Sequence, residues 1–169
     1  TDKLYYNAMK EGKTGITRDS LPIELTLDKA NRRFIIEDHG CGMTAEELES
    51  NLGTIARSGS LAFKAENEKQ DDIDIIGQFG VGFYSSFMVA DKVTVISKAY
   101  GSDEAWQWES SGVDGYEMTP AEKDTAGTQI ILHIKPDTET DHYDNFLDEY
   151  GIVAIVKKYS DYVRYPIQM

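Results

Sequence analysis

Three glycines, Gly77, Gly80 and Gly82, fall within six residues, after the apolar pair 75–76 and at the start of the apolar segment 81–90. Glycine loses more backbone freedom on folding than any other residue, so this density is costly inside a regular element. The pattern predicts a tight turn, or a stretch of backbone that passes very close to another group. The apolar segment 81–90 then predicts a buried helix.

The charge and length of the chain limit its partners. It has 169 residues, which favours one domain, and a net charge of −13 from 30 acidic and 17 basic residues. This balance argues against nucleic acid or an anionic membrane as the main partner, although one local site can still hold a small anion. No apolar run approaches the ~20 residues that span a bilayer. The single cysteine, Cys41, indicates a reducing compartment.

Alternating apolar residues predict several strands. Residues 23–27 and 34–36 flank a turn-rich segment and predict a hairpin, and residues 93–96, 106–108, 116–118 and 127–134 predict further strands. Helical patterns occupy residues 2–10, a short stretch around Ala62 and residues 146–159. A capping box from Thr44 to Glu47 predicts another helix, through about Ser50. Together they predict an α+β fold: a two-layer α/β sandwich with a mixed, mostly antiparallel sheet and helices on one face.

Asp38 stands where a strand ends, before Gly40, Gly42 and Met43 and the next helix. A carboxylate there can accept a hydrogen bond from an exocyclic amine such as that of adenine, and glycines leave room for a flat ligand. The same residues also fit an acidic turn before a capped helix. Taken alone, this segment leaves both interpretations open.

The glycines of 77–82 precede a helix, whose N-terminus presents free N–H groups and a partial positive charge. This predicts an anion site, for example for phosphates. The spacing matches neither a Walker loop nor the dinucleotide fingerprint, and close helix–strand packing is the better explanation of the motif alone. Arg57 fits a phosphate partner or a solvated charge, and Thr128 fits a hydroxyl that supports Asp38 or an ordinary strand residue. Donors for phosphates and a carboxylate for a base together favour a nucleotide site.

Other candidate residues are weaker. His39, His133 and His142 have no metal-ligand spacing, so no metal site is predicted from this chain. The pair Trp106 and Trp108 predicts one face of a strand rather than a platform for a ligand.

Four motifs in order, DHGCGMT, NLGTIARSGS, IIGQFGVGFYS and GTQIILHI, resemble the N-terminal ATP-binding domain of the ninety-kilodalton heat-shock chaperone family, in its bacterial form. The wider superfamily, with the Bergerat ATPase fold, includes DNA gyrase, MutL and the histidine kinases. The resemblance covers essentially residues 1–169, as a single nucleotide-binding domain with a lid over about 51–76. It implies an N-terminally truncated fragment, although the helical stripe that starts at Leu4 also fits a helix capped by Thr1 or Asp2.

The resemblance also implies roles for individual residues. Asp38 would take the adenine amino group, with Thr128 and a water helping. The other implied contacts are the base pocket at Gly42 and Met43, the ribose and base at Asn51 and Leu52, phosphate N–H donors at Gly80, Val81, Gly82 and Phe83, and possible phosphate or lid contacts at Lys3, Arg57 and Gly77.

The resemblance implies an ATP-dependent chaperone of the stress response in the bacterial cytoplasm. It would bind ATP or ADP with Mg²⁺ and couple slow hydrolysis in a full-length dimer to lid closure around client proteins, together with co-chaperones. The family's general-base glutamate and magnesium-binding asparagine lie in a helix just before Asp2, and dimerisation uses a C-terminal domain. We therefore expect this 169-residue chain to be a monomer that binds nucleotide with little or no hydrolysis, without a catalytic residue of its own.

Two alternatives belong to other functional classes. A histidine kinase or DNA-topology ATPase domain shares the superfamily motifs, and phosphotransfer or DNA-stimulated turnover would identify it. A pure interaction module would bind no nucleotide, which a calorimetric titration with ADP would reveal.

Overall fold

The computed structural model describes residues 1–53, 81–113 and 115–169. The helical elements are α1 (Asp2–Lys10), α2 (Ala45–Leu48), a π-helical turn (Glu49–Gly53), α3 (Val81–Tyr84), α4 (Ser86–Val89), a 3-10 turn (Tyr143–Leu147) and α5 (Glu149–Tyr159). The strands are β1 (Ile23–Asp28), β2 (Arg33–Asp38), β3 (Ala90–Lys98), β4 (Ala105–Ser110), β5 (Glu117–Ala121), β6 (Gly127–Ile134) and β7 (Ile167–Gln168).

Within the described residues, the strands form one mixed sheet of seven in the order β5-β4-β3-β6-β2-β1-β7. Every pairing is antiparallel except that of β1 with β7. The β1–β2 hairpin closes through Asp28, whose carboxylate accepts hydrogen bonds from the backbone and the side chain of Asn31. The side chain of Asp28 thus satisfies the polar groups of the turn that connects the two strands.

Helices cover one face of this sheet. Residues on β3, β4 and β6 that share this face, Val95, Trp108 and Leu132, are buried together with Leu48 of α2 and Leu147 of the 3-10 turn. Side chains alternate between the two faces of a strand, so burial of every second residue marks the covered face. The predicted α+β fold, a mixed sheet with helices packed against it, is confirmed.

Most predicted elements have their predicted places. The hairpin, the strand 127–134, the helix 2–10 and the capping box between Thr44 and Glu47 are all present. The α-helix after the capping box ends at Leu48, and the chain continues to Gly53 as a π-helical turn. The predicted helix near Ala62 and most of the predicted lid lie outside the described residues.

The prediction of one buried helix over 81–90 is wrong. Two short helices, α3 and α4, meet at the exposed Ser85, and Met88 is 69% exposed. Ala90 belongs to β3, where it pairs with Ile134 of β6. Ala90, the last residue of this segment, satisfies a strand pairing, which a helical period cannot reveal.

A second, smaller cluster joins the two ends of the chain. Leu4 of α1 packs with Leu21 and Tyr165, and the Tyr165 hydroxyl donates to Asp2 Oδ1 at 2.7 Å. Burial and this hydrogen bond raise the pKa of Tyr165 to about 12. The contact fixes the first turn of α1 against the segment that leads into β7.

No helix among the described residues has the length and apolar character needed to cross a membrane.

Candidate functional site

The strand register places Asp38, Thr128 and Ser97 in one row across the three central strands. Asp38 on β2 lies opposite Thr128 on β6, and Thr128 lies opposite Ser97 on β3. Directly opposed residues of an antiparallel pair project to the same face. The row lies on the helix-covered face of the sheet. Trp106 on β4 continues it, because Trp106 is the register partner of Ser97. We call it the polar row.

Ser97 connects the polar row to the loop after β2. Its hydroxyl accepts a hydrogen bond from the backbone N–H of Met43 at 2.9 Å. It also lies 2.8 Å from the hydroxyl of Thr128 and 3.1 Å from the carbonyl oxygen of Gly127. Ser97 is fully buried and Thr128 is 8% exposed, so these bonds form away from bulk water.

Asp38 sits at the end of the polar row, half-buried. Its Oδ1 accepts the backbone N–H of Gly40 at 2.6 Å, which holds the carboxylate at the turn after β2. Within the described part of the chain, no hydrogen bond or ion pair is formed by Oδ2. An ionised carboxylate has about four acceptor positions, so this oxygen can accept a ligand N–H.

Two glycines allow neighbouring backbone segments to approach each other closely beside the polar row. Gly127 has a φ of +129°, and a Cβ there would lie 2.1 Å from the Asp38 carbonyl oxygen. Gly42 has a φ of +58°, and its Cβ would lie 1.8 Å from the carbonyl oxygen of Lys98. No larger residue fits either place without moving the backbone, since L-residues rarely adopt this conformation and the contact is with main chain.

Met43, Asn51 and Leu52 lie together beside the polar row. The Asn51 side-chain amide is 3.6 Å from the Met43 sulfur, and Met43 packs against the main core cluster. Leu52 is a buried member of that cluster, whereas Asn51 is exposed. Of these three, only Asn51 presents its side chain mainly to solvent.

Lys3 and Gly42 line a cavity of about 260 Å³ between α1 and the loops that follow β2 and β3. Cys41 and Tyr100 line it as well. The Lys3 ammonium also lies 3.9 Å from Glu47, at the start of α2. Asp38 and Thr128 are not among the lining residues of this cavity. The structure thus brings Lys3 and Gly42 together in the lining of this cavity.

The predicted phosphate residues are only partly described. Val81, Gly82 and Phe83 begin α3, and the Phe83 ring packs edge-on against Trp108 with centroids 5.7 Å apart. The first N–H groups of a helix have no partner within that helix. Gly77, Gly80 and Arg57 lie outside the described residues.

A charged contact supports the polar row from the opposite face of the sheet. Glu37, next to Asp38, forms an ion pair with Lys123 and accepts a hydrogen bond from Gln129 at 2.9 Å. Burial opposes ionisation of Glu37, but these two donors outweigh it and hold the pKa of its carboxyl below the ordinary value. Lys98 also donates to the carbonyl of Lys123 at 3.1 Å. The segment just before Gly127 is therefore attached to β2 and β3.

A second polar group on that face surrounds His133. Thr94 donates to Glu109 at 2.7 Å and lies 3.2 Å from the His133 ring, and Lys92 pairs with Glu109 at 3.3 Å. Burial and the positive charges of Lys92 and Arg33 lower the pKa of His133. In the described part of the chain, no three His, Cys, Asp or Glu side chains are close enough together to hold a metal ion.

Sequence reasoning missed Ser97. In the sequence it stands between Ile96 and Lys98 as one polar residue in an alternating strand, which is unremarkable. Only its alternation with Val93 and Val95, which places a hydroxyl on the apolar face, is a signal in retrospect.

The fold agrees with comparisons to known proteins. A mixed sheet with helices on one face is the architecture of an α+β ATPase domain. The chain belongs to the histidine kinase-, DNA gyrase B-, and HSP90-like ATPase family, whose model matches residues 13–136.

Individual relatives carry one name. The chain is 61% identical to Chaperone protein HtpG of Bacillus subtilis (strain 168) and 58% identical to Chaperone protein HtpG of Clostridium botulinum (strain Loch Maree / Type A3), each over 99% of this chain. It is 56% identical to Chaperone protein HtpG of Natranaerobius thermophilus, again over 99% of this chain. The chain spans 27% of the length of these relatives, in their N-terminal region.

Proposed function

We propose that this chain is the ATP-binding domain of an ATP-dependent chaperone and that it binds the adenine of ATP or ADP at the polar row. The single observation that carries this proposal is the position of Asp38, opposite Thr128, with a carboxylate oxygen available to a ligand. Membership of the ATPase family supports nucleotide as the ligand. The relatives' name, chaperone, favours that branch over the kinase and gyrase branches.

The chemistry of recognition follows from the donors and acceptors. Asp38 accepts a hydrogen bond from the exocyclic amine of adenine, and Thr128 supports that edge of the base directly or through a water. Hydrogen bonds to an ionised acceptor are about twice as strong as neutral ones, so the carboxylate supplies most of the orientation. Gly42 and Met43 line the pocket for the base, and Asn51 and Leu52 lie next to the ribose.

The glycine-rich segment is the proposed binding site for the polyphosphate of the nucleotide. Gly80, Val81, Gly82 and Phe83 offer main-chain N–H donors, and Lys3, Arg57 and Gly77 are further candidate contacts. Because glycine carries no side chain, phosphate oxygens can approach the N–H groups closely. Mg²⁺, when bound, supplies charge neutralisation on the phosphates, and no side chain of this chain is assigned to it.

The activity of the longer protein is part of the same proposal. We propose that the longer protein hydrolyses ATP, closes its lid around client proteins, works with co-chaperones and forms a homodimer, in the bacterial cytoplasm. For the 169-residue chain we propose nucleotide binding as a monomer.

Calorimetric and thermal titration with ADP tests the binding site. ADP at a hundred times its dissociation constant should stabilise the parent chain by about 2.7 kcal/mol. Asp38→Asn should remove most of that stabilisation, because the amide carries no charge. Asp28→Asn is the matched control, since Asp28 caps the turn at the far end of the same hairpin. Equal ADP shifts for Asp38→Asn and the parent would show that the base binds elsewhere.

A further inference from the structure

We infer that Ser97 sets the direction of the Thr128 hydroxyl proton and thereby makes the site select a 6-amino purine over a 6-oxo purine. Ser97 is thus a positioning residue that acts through Thr128. The inference rests on the proposed function, because it concerns the base that the polar row recognises.

The Ser97 hydroxyl lies within hydrogen-bond distance of three neighbours among the described residues. The N–H of Met43 can only donate, at 2.9 Å, and the carbonyl of Gly127 can only accept, at 3.1 Å. The hydroxyl of Thr128, at 2.8 Å, can do either. A hydroxyl has one proton and two lone pairs, so these neighbours can all be satisfied at once.

Only one arrangement of protons satisfies all three contacts. Ser97 accepts from Met43, gives its own proton to Gly127 O, and accepts the proton of Thr128 on its second lone pair. In the reverse arrangement Ser97 donates to Thr128, and the contact with the Gly127 carbonyl carries no proton. Ser97 is 0% exposed, so no bulk water replaces a lost partner, and an unmade hydrogen bond at such a site is costly.

The favoured arrangement makes the recognition wall acceptor-only. Thr128 donates its hydroxyl proton to Ser97 and therefore presents only lone pairs to a ligand. Asp38 presents a carboxylate on the same face of the sheet. The ligand group that meets this wall must donate, as the exocyclic amine at the 6-position of adenine does. A 6-oxo group instead places an acceptor against acceptors, which leaves buried groups unpaired.

Removal of the Ser97 hydroxyl should relax this discrimination. In Ser97→Ala the proton of Thr128 is released from Ser97 and can turn toward the ligand. The wall then offers one donor, which suits a 6-oxo group. One neutral hydrogen bond changes a binding ratio by about three- to tenfold.

The experiment compares ADP with inosine diphosphate, which differs from ADP at the 6-position and in the proton on N1. Titration calorimetry gives both dissociation constants for the parent and for Ser97→Ala. We expect the parent to prefer ADP and the ratio of the two constants to fall about three- to tenfold in Ser97→Ala. Ser97→Thr, which keeps a hydroxyl, should retain the parent ratio.

Two further variants separate this role from plain loss of stability. Ser110→Ala removes another buried hydroxyl, on β4, that accepts from Gly112 N–H and donates to the Gly115 carbonyl. It should lower the melting temperature and leave the ADP-to-inosine-diphosphate ratio unchanged. In a Thr128→Val background, Ser97→Ala should no longer change the ratio, since its effect passes through Thr128.

The outcomes distinguish the two proposals. A parent that binds neither nucleotide overturns the proposed function and this inference together. A parent that prefers ADP, with an unchanged ratio in Ser97→Ala, overturns the role of Ser97 alone. A change in ratio that persists in the Thr128→Val background also overturns it.

Discussion

Glu37 and Lys123 form an ion pair across the face of the sheet that is opposite to the polar row, and the Lys123 side chain is only 8% exposed. The pair joins β2, directly beside Asp38, to the segment that leads into Gly127 and Thr128. The two strands that carry the candidate base-recognition residues are therefore held together by charge on one face and by backbone pairing within the sheet.

This pair should show strong coupling in a double-mutant cycle. Lys123→Met leaves the Glu37 carboxylate half-buried with one remaining donor, and should lower the free energy of unfolding by about 1–3 kcal/mol. The double variant Glu37→Gln/Lys123→Met should lose less than the sum of the single variants, because no charge is left unpaired. Urea unfolding measures each value.

The exposed pair of Lys13 and Glu11 provides the control. Its atoms are 2.8 Å apart, but both side chains are at least half exposed. Lys13→Met should change the free energy of unfolding much less than Lys123→Met, because an exposed ion pair is screened by solvent. A Lys123→Met variant as stable as Lys13→Met would contradict a supporting role for the Glu37 pair.

Gly127→Ala should destabilise the fold more than Gly101→Ala. Both glycines have positive φ, but a Cβ added at Gly101 would meet open space, whereas one added at Gly127 would lie 2.1 Å from the Asp38 carbonyl oxygen. Gly101→Ala should cost about 1–2 kcal/mol from conformation alone. Gly127→Ala adds overpacking and should cost about 2–6 kcal/mol.

Thermal unfolding of the two glycine variants measures this difference, and an ADP titration of Gly127→Ala should show weakened binding. Similar melting temperatures for both variants would mean that β6 can move away from β2 without cost.

His133 should make stability depend on pH below neutrality. The folded state lowers its pKa below the ordinary 6.5, so the unfolded chain binds more protons in the window between the two values. Stability then falls as the pH drops from about 7 through that window. Urea midpoints at several pH values should show a shallower fall for His133→Gln than for the parent. Parallel curves for the parent and His133→Gln would refute the assignment.

Tyr165 should make the stability of the fold depend on pH in the alkaline range. Its pKa is raised to about 12 from 10, so the unfolded chain releases this proton first. Its contribution is full below pH 10 and is lost as the pH rises toward 12. At neutral pH, Tyr165→Phe should lower stability by about 1.5–3 kcal/mol, since it removes a hydrogen bond to the charged Asp2.

Tyr162 offers the control for this experiment, because it is 84% exposed in the same segment. Tyr162→Phe should leave the stability at neutral pH unchanged. A Tyr165→Phe variant with the parent's alkaline slope would show that another group titrates there.

Local pattern predicted much of this molecule. The hairpin of β1 and β2, the bounds of β6 and the capping box depend on residues close in sequence, which is why they could be predicted. The helical segment predicted to reach residue 90 ends before Ala90, because Ala90 pairs with Ile134, a partner 44 positions later in the chain. A long-range pairing of that kind overrides a local apolar run.

The sequence by itself determined the order of elements, the acidic character and the residues with the chemistry for a nucleotide: Asp38, Thr128 and the glycines. It could not place them relative to one another. Strand register decided that Ser97 meets Thr128, because cross-strand neighbours are set by the pairing of distant segments. The positions of two loops in the tertiary structure decided that Met43 meets Ser97 and that Lys123 meets Glu37. The physical reason is that a hydrogen bond depends on distance and direction in space, and separation along the chain specifies neither.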